Sequence, residues 1–309
     1  MVKAMNNIIS KISCHISKML YKKKTANSNH KATGCQQQPS VELELIEGTH
    51  KNTNTHPSII HFSFNKAATQ YVKSILVDCA TEIGMVHAGI NEYAFDAKFP
   101  FLDHLTAEEM KKYQHIFKKK GYLYSVFGGM IEGIPELEAY KVVLGVRDPR
   151  DMLVSNYYSM AFSHPVPDKN GSKYDRFMEK RNRAKTSSID QYVLDESINF
   201  KNIFVRYYNL LLNQYKHVYV TKYEDMVADF DGWLDGLLRY CDLQVSNDLR
   251  KKIINDNEKM KPATEDKIKH LRKGMPGDYQ EKLQQETIQQ LNATFSNYLE
   301  LFGYLKNQR

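Results

Sequence analysis

The chain has 309 residues, of which 42% are hydrophobic and 26% charged, a balance that excludes global disorder and suits one large α/β domain or two small ones. No run of about 18 apolar residues occurs, so no membrane-spanning helix is expected. The net charge of +7 fits a polyanionic small ligand, a nucleic acid or an anionic membrane surface, and the scattered Cys14, Cys35, Cys79 and Cys241 make no metal-ligand spacing and read as reduced thiols.

Residues 1–45 differ in composition from the rest. Ile8, Ile9, Ile12, Ile16, Met19 and Leu20 recur at helical spacing beside Lys11, Lys18 and Lys22 to Lys24. This reads either as a basic amphipathic helix with weak membrane-surface contact or as a disordered tail. Ala26 to Ser40 is polar and reads as a linker, with the folded part, residues 46–309, gaining regular structure near Thr55. The tail is therefore expected to be dispensable for folding and turnover.

Ser58 to Phe62 is a short apolar run and predicts a buried strand. Tyr71, Ile75, Leu76 and Cys79 then repeat with helical period, and the helix is expected to stop near Gly84. Gly121 to Phe127 predicts a second strand, Lys141 to Val146 a third buried on both faces, and His217 to Thr221 another. Asp148-Pro149 supplies a helix start, with Asp as N-cap and Pro at the first helical position. From about Leu234 the chain reads as helical. Strands alternating with helices predict one α/β domain with a central parallel sheet and helices on both faces.

Three segments carry charge chemistry. Ser63 to Tyr71 joins a strand to a helix, with Ala67 and Ala68 permitting a tight turn, free N–H groups at the helix start and a cation at Lys66. It lacks the glycines and the terminal Gly-Lys-Ser/Thr of a Walker A loop. Val146 to Ser155 delivers Arg147 to the carboxyl edge of the sheet, with Ser155 two turns along the next helix, an arrangement suited to a phosphate. An ion pair of Arg147 with Asp151 is the plain structural alternative. Leu271 to Tyr279 places Arg272 and Lys273 before Gly274 and Gly277, as in a basic loop over an anion.

In order and content these segments resemble the family of sulfotransferases that use 3′-phosphoadenosine 5′-phosphosulfate (PAPS), especially its cytosolic type. Asn65-Lys66-Ala67-Ala68-Thr69-Gln70-Tyr71 stands where that family has Pro-Lys-Ser-Gly-Thr-Thr-Trp. Arg147-Asp-Pro-Arg-Asp with Ser155 matches its Arg-Asn-Pro-Lys/Arg-Asp segment, Tyr223-Glu224-Asp225-Met226 its Tyr-Glu-Asp-Met, and Arg272 to Tyr279 its Arg-Lys-Gly-x-x-Gly-Asp-Trp. The resemblance spans about residues 58–305 and implies a P-loop-like α/β fold, PAPS as cosubstrate, 3′-phosphoadenosine 5′-phosphate (PAP) as product, no metal and a cytoplasmic location. It implies that Lys66 contacts the transferring sulfuryl group, that Ala67, Ala68, Thr69 and Gln70 form the 5′-phosphate loop, and that Tyr71 stacks on adenine. Arg147, Ser155 and Arg272 would hold the 3′-phosphate, Lys273 and Gly274 would extend that loop, and Tyr223 would contact adenine.

The family's usual catalytic histidine is missing: counting back from Arg147 reaches about Ser125. Asn91 to Asp96 resembles a segment of carbohydrate sulfotransferases whose glutamate is the base, which makes Glu92 the first candidate, His87 the second and Glu132 the third. The expected acceptor is a small molecule with a hydroxyl or an amine, and no nucleic acid. Phe95, Phe99, Phe101, Tyr157, Tyr158 and Phe162 read as its pocket or as core, and His164 to Lys185 as a lid or an inert loop. The competing reading is a protein that binds PAP or PAPS without turnover. The oligomeric state stays open.

Overall fold

A strand covered on both faces needs two separate layers of apolar partners, and the central strands have them. Ile60, Phe62, Val142, Leu144 and Tyr124 belong to one buried cluster, whereas Ile59, Val143 and Leu123 belong to the other. The period of two in strand side chains accounts for the split. The computed structural model describes residues 39–167, 169, 174–260 and 274–305. The basic segment up to residue 38 and the Arg272-Lys273 pair, both singled out from the sequence, lie outside the described residues.

In chain order the elements begin with α1 (Val41–Ile46), β1 (Ile59–Ser63), α2 (Thr69–Glu82), β2 (Val86–Ala88), α3 (Ile90–Asp96) and α4 (Ala107–Met110). Then come β3 (Tyr122–Phe127), β4 (Lys141–Val146), α5 (Pro149–Tyr158), α6 (Tyr174–Thr186), α7 (Ile189–Tyr207) and β5 (Val218–Lys222). The remainder is α8 (Tyr223–Ala228), α9 (Phe230–Cys241), α10 (Asn247–Met260), α11 (Tyr279–Lys282), α12 (Gln285–Thr294) and α13 (Ser296–Leu301).

The five strands form one sheet in the order β2-β3-β1-β4-β5, every pairing parallel. The chain leaves β1 toward β2 on one side and leaves β4 toward β5 on the other. The connections thus diverge between β1 and β4, the topological switch point at which open α/β sheets bind ligands beyond the carboxyl ends of their strands. The two strands meet closely there. A Cβ on Gly145 would come within 2.7 Å of Ser63 Oγ, so glycine is what lets Ser63 keep its place opposite it.

The predicted strands and the helix after β1 agree with these elements to within a residue or two, and β4 coincides at both ends. Asp148 caps α5 by accepting from Arg150 N–H, with Pro149 in the first turn. Strand β2 was not expected: it has three residues and a half-buried pattern, too short for a periodicity signal. The segment expected as a tail, residues 1–45, takes in most of helix α1. Val41 to Arg309 forms one compact unit, and Leu45 on α1 is fully buried in the main core. Alternating Val41, Leu43 and Leu45 disguise a six-residue helix as a strand-like or linker segment.

The expected lid over 164–185 is partly helix α6. Arg181 ties it to the turn after α5, its Nε donating to Met160 O at 3.0 Å and its guanidinium lying over the Phe177 ring.

Candidate active site

Lys66 follows β1 in a turn built without glycine. Lys66 has φ 74° and Ala68 φ 56°, both left-handed and each costing roughly 1–2 kcal/mol for a residue with a Cβ. Ala68, at the position of the glycine in the resembling loop, thus adopts a conformation that glycine takes at no steric cost. The turn is held from inside, because Thr69 Oγ1 donates to Phe64 O at 2.9 Å and lies 3.0 Å from Ser63 Oγ. Ala67 is buried and Gln70 is exposed at the start of α2. Tyr71 donates its hydroxyl to Asn257 Oδ1 at 3.1 Å, drawing α10 against α2. Its ring lies 6.1 Å from Phe230, which stacks on Trp233. Burial pushes the Tyr71 hydroxyl up to about 12.

Arg147 leaves β4 directly opposite this turn. Its Nη1 donates to Lys66 O at 3.1 Å, and its guanidinium lies 4.1 Å over the ring of Tyr223. Tyr298 donates to Arg147 O at 3.0 Å from the C-terminal side. The ion pair with Asp151 exists, but at a long 3.8 Å. Asp151 is chiefly occupied elsewhere, accepting from Gly277 N–H at 2.6 Å and from Tyr279 N–H at 3.0 Å. The carboxylate therefore ties the loop that begins with Gly274 to α5. Burial pushes its carboxyl up, while Arg147 and those two N–H groups pull the other way.

The local electrostatics call for an anion. Burial and the Arg147 charge lower Lys66 from 10.5 to about 8. Arg147 Nε is buried without an acceptor. Two neighbouring cations, one with an orphaned donor, fit a substrate carrying several phosphate-like groups. Ser155 is half-buried on α5, two turns after Arg147, and Gly274 adopts φ 69°. Behind Arg147, Glu224 accepts from Asp148 N–H at 2.9 Å and from Tyr304 Oη at 2.8 Å. Burial pushes the Glu224 carboxyl up.

The base candidates lie on the other side of β1. Glu92, exposed on α3, is paired with Lys73 of α2. His87 on β2 has its Nε2 3.0 Å from Ser125 O. Glu132 pairs with Arg206 at 2.9 Å. Ser125, at the counted position of the missing histidine, points into the sheet, with its Oγ 3.0 Å from His61 Nδ1. Burial lowers His61 to about 3, so that ring is neutral and belongs to the core.

Three residues around these candidates were missed from the sequence: Lys73, Glu42 and Asp103. Glu42 accepts from Gly89 N–H at 2.9 Å. Asp103, 9% exposed, accepts from Gly129 N–H at 2.9 Å and from Asn91 Nδ2 at 3.2 Å. No short pattern in the sequence marks any of them. Among the described residues, no group of three or more His, Cys, Asp or Glu side chains could hold a metal ion.

The sulfotransferase domain family matches residues 129–303, a span that includes Arg147, Ser155, Tyr223 and Gly274 and begins after the Lys66 turn. In fold the chain is similar to a mouse sulfotransferase solved in complex with PAP, with a TM-score of 0.52 and 15% identity over 87% of this chain and 94% of that one. A retinol dehydratase solved with retinol and PAP gives 0.43 and 14% over 79% and 82% of the two chains. A sulfotransferase from Mycobacterium avium gives 0.44 and 9% over 84% and 79%. No curated protein sequence matches the chain.

Proposed function

This chain belongs to the sulfotransferase domain family, and on that premise we propose how it takes a sulfuryl group from PAPS and delivers it to the hydroxyl or amine of a small-molecule acceptor. The observation that carries the reading is the meeting of Lys66 and Arg147 at the switch point, 3.1 Å apart through Nη1 and a main-chain oxygen.

Arg147, Ser155 and the loop of Arg272, Lys273 and Gly274 bind the 3′-phosphate. The turn of Ala67, Ala68, Thr69 and Gln70 receives the 5′-phosphosulfate at the start of α2. Tyr71 and Tyr223 flank adenine. In the reaction the bond from sulfur to the bridging phosphate oxygen breaks and a bond from sulfur to the acceptor heteroatom forms. Lys66 stabilises the negative charge that grows on the departing phosphate. The acceptor proton passes to Glu92, whose Lys73 partner keeps the carboxylate oriented, with His87 beside it.

Phe95 stands three residues after Glu92 on the same helical face and is 59% exposed, which favours an acceptor with an apolar body next to its reacting group. A cytoplasmic location is supported by the free, buried Cys79 and Cys241. No described helix is long and apolar enough to cross a membrane.

Calorimetry with PAP and AMP tests the reading. PAP is expected to bind at least about tenfold tighter, because each hydrogen bond from a charged donor to the 3′-phosphate contributes roughly 1.5–3 kcal/mol. Equal affinities would remove the 3′-phosphate site.

A further inference from the structure

We infer that Glu42 is a positioning residue for sulfuryl transfer: from α1 it holds the first turn of α3 and thereby sets where Glu92 meets the acceptor. The inference rests on the proposed role of Glu92 and adds to it a residue from the segment that the sequence assigned to a tail.

Helix α3 has only seven residues, and its N-cap, Gly89, has no side chain with which to cap it. Short helices leave their first N–H groups orphaned and gain little from propagation. Here the partner comes from 47 residues away, where Glu42 accepts from Gly89 N–H at 2.9 Å. The surroundings of Gly89 show how closely the acceptor-side groups converge. A Cβ at that position would lie 2.9 Å from Glu92 Oε2, 3.4 Å from the His87 ring and 3.7 Å from Glu42 Oε1. Two carboxylates and an imidazole therefore surround one backbone atom, and a side chain at 89 would displace them.

The clamp has a rigid base. Leu45, one turn from Glu42, is fully buried, and His115 Nε2 lies 2.8 Å from Ile46 O. His50 Nδ1 lies 2.8 Å from the hydroxyl of Tyr122 on β3. The segment that carries Glu42 is thus anchored to the core and to the start of β3. On the other flank of α3, Asp103 bridges Asn91 and Gly129, so the helix that carries Glu92 is fixed from both sides. Lys73 pairs with Glu92 across the gap, offsetting the repulsion between the Glu42 and Glu92 carboxylates.

The test uses the full chain, with PAP release from PAPS measured with p-nitrophenol or with water as acceptor, whichever the wild-type chain uses faster. Glu42→Ala should lower kcat by about 10- to 100-fold, the range produced when a reacting group is misplaced by an ångström, with PAP affinity within about twofold of wild type. Glu42→Gln should recover most of the rate, because its amide oxygen can accept the same N–H. Glu42→Asp, one methylene short, should not. Acting through Glu92 also predicts non-additivity, so Glu42→Ala with Glu92→Gln should be no slower than Glu92→Gln alone.

Wild-type turnover in Glu42→Ala, or rate losses that multiply in the double variant, overturns the inference. Should Glu42→Ala fail to fold, the Gln and Asp variants decide, equal rates in those two being the contradicting result. A wild-type chain that fails to bind PAP contradicts the underlying reading and the clamp with it.

Discussion

The two sides of β1 are built differently. On the β4 side the groups proposed to hold the nucleotide come from contiguous segments: Arg147, Asp148 and Asp151 lie within five residues, and Tyr223 and Glu224, which contact Arg147 and Asp148, are adjacent. On the β2 side the groups proposed to meet the acceptor are gathered from α1, α2, α3 and the Leu102–His104 turn. Binding a fixed nucleotide requires a strand end and a helix start in register, which a short motif can specify. Placing a base against an acceptor requires tertiary contacts, which no short motif records.

The comparison breaks most sharply at Lys66. Lys66→Ala should reduce turnover at saturating PAPS by about 10²–10³, as loss of one preorganised charge stabiliser does, with a much smaller change in nucleotide affinity. Arg147→Ala should do the opposite, weakening PAP binding by about 10- to 100-fold in calorimetry, because the 3′-phosphate does not react. Equal losses of rate and affinity in both variants would erase the division between the group that meets the transferring sulfuryl and the one that anchors the nucleotide.

A smaller effect is expected one shell further out. Asp151→Ala releases two backbone N–H groups, those of Gly277 and Tyr279. It should cost about 1–3 kcal/mol in denaturant unfolding and weaken PAP less than Arg147→Ala does. Unchanged PAP affinity would mean that the Gly274 loop does not need α5 to reach the nucleotide.

The smallest effect is a proton. The folded chain lowers Lys66 from 10.5 to about 8, so between those values the unfolded chain binds more protons than the folded one. Stability should therefore rise as pH increases through that window, since the cost of the buried cation is fully present below about 8 and is relieved above it. Nucleotide phosphates reverse the balance by restoring the charge. PAP binding near pH 9 should take up roughly one proton, read from calorimetry in buffers of different ionisation enthalpy, and Lys66→Met should abolish the uptake. No buffer dependence in the wild-type chain would place Lys66 away from the phosphates.

What the sequence made legible follows the same division. Lys66 and Arg147 stand at the ends of β1 and β4, whose apolar runs announce buried strands, so their arrival at one sheet edge could be expected. The Arg147–Asp151 pair could be expected too, though not that Asp151 serves mainly the backbone of the 277–279 segment. Glu42 and Asp103 could not be read, because their partners Gly89 and Gly129 lie 47 and 26 residues away and carry no side chain to pattern. Lys73 meets Glu92 only because α2 and α3 fold back on each other. Helix α1 was hidden by apolar alternation at Val41, Leu43 and Leu45, a strand-like period in a segment where packing of Leu45 decides the structure.

Sulfuryl transfer itself is tested most directly by following radiolabelled sulfur from PAPS in a screen of phenol and amine acceptors. In the wild-type chain, label should appear covalently on an acceptor in step with PAP formation, and Lys66→Ala should suppress both together. Tight PAP binding without any label leaving PAPS, on an acceptor or as free sulfate, would contradict it.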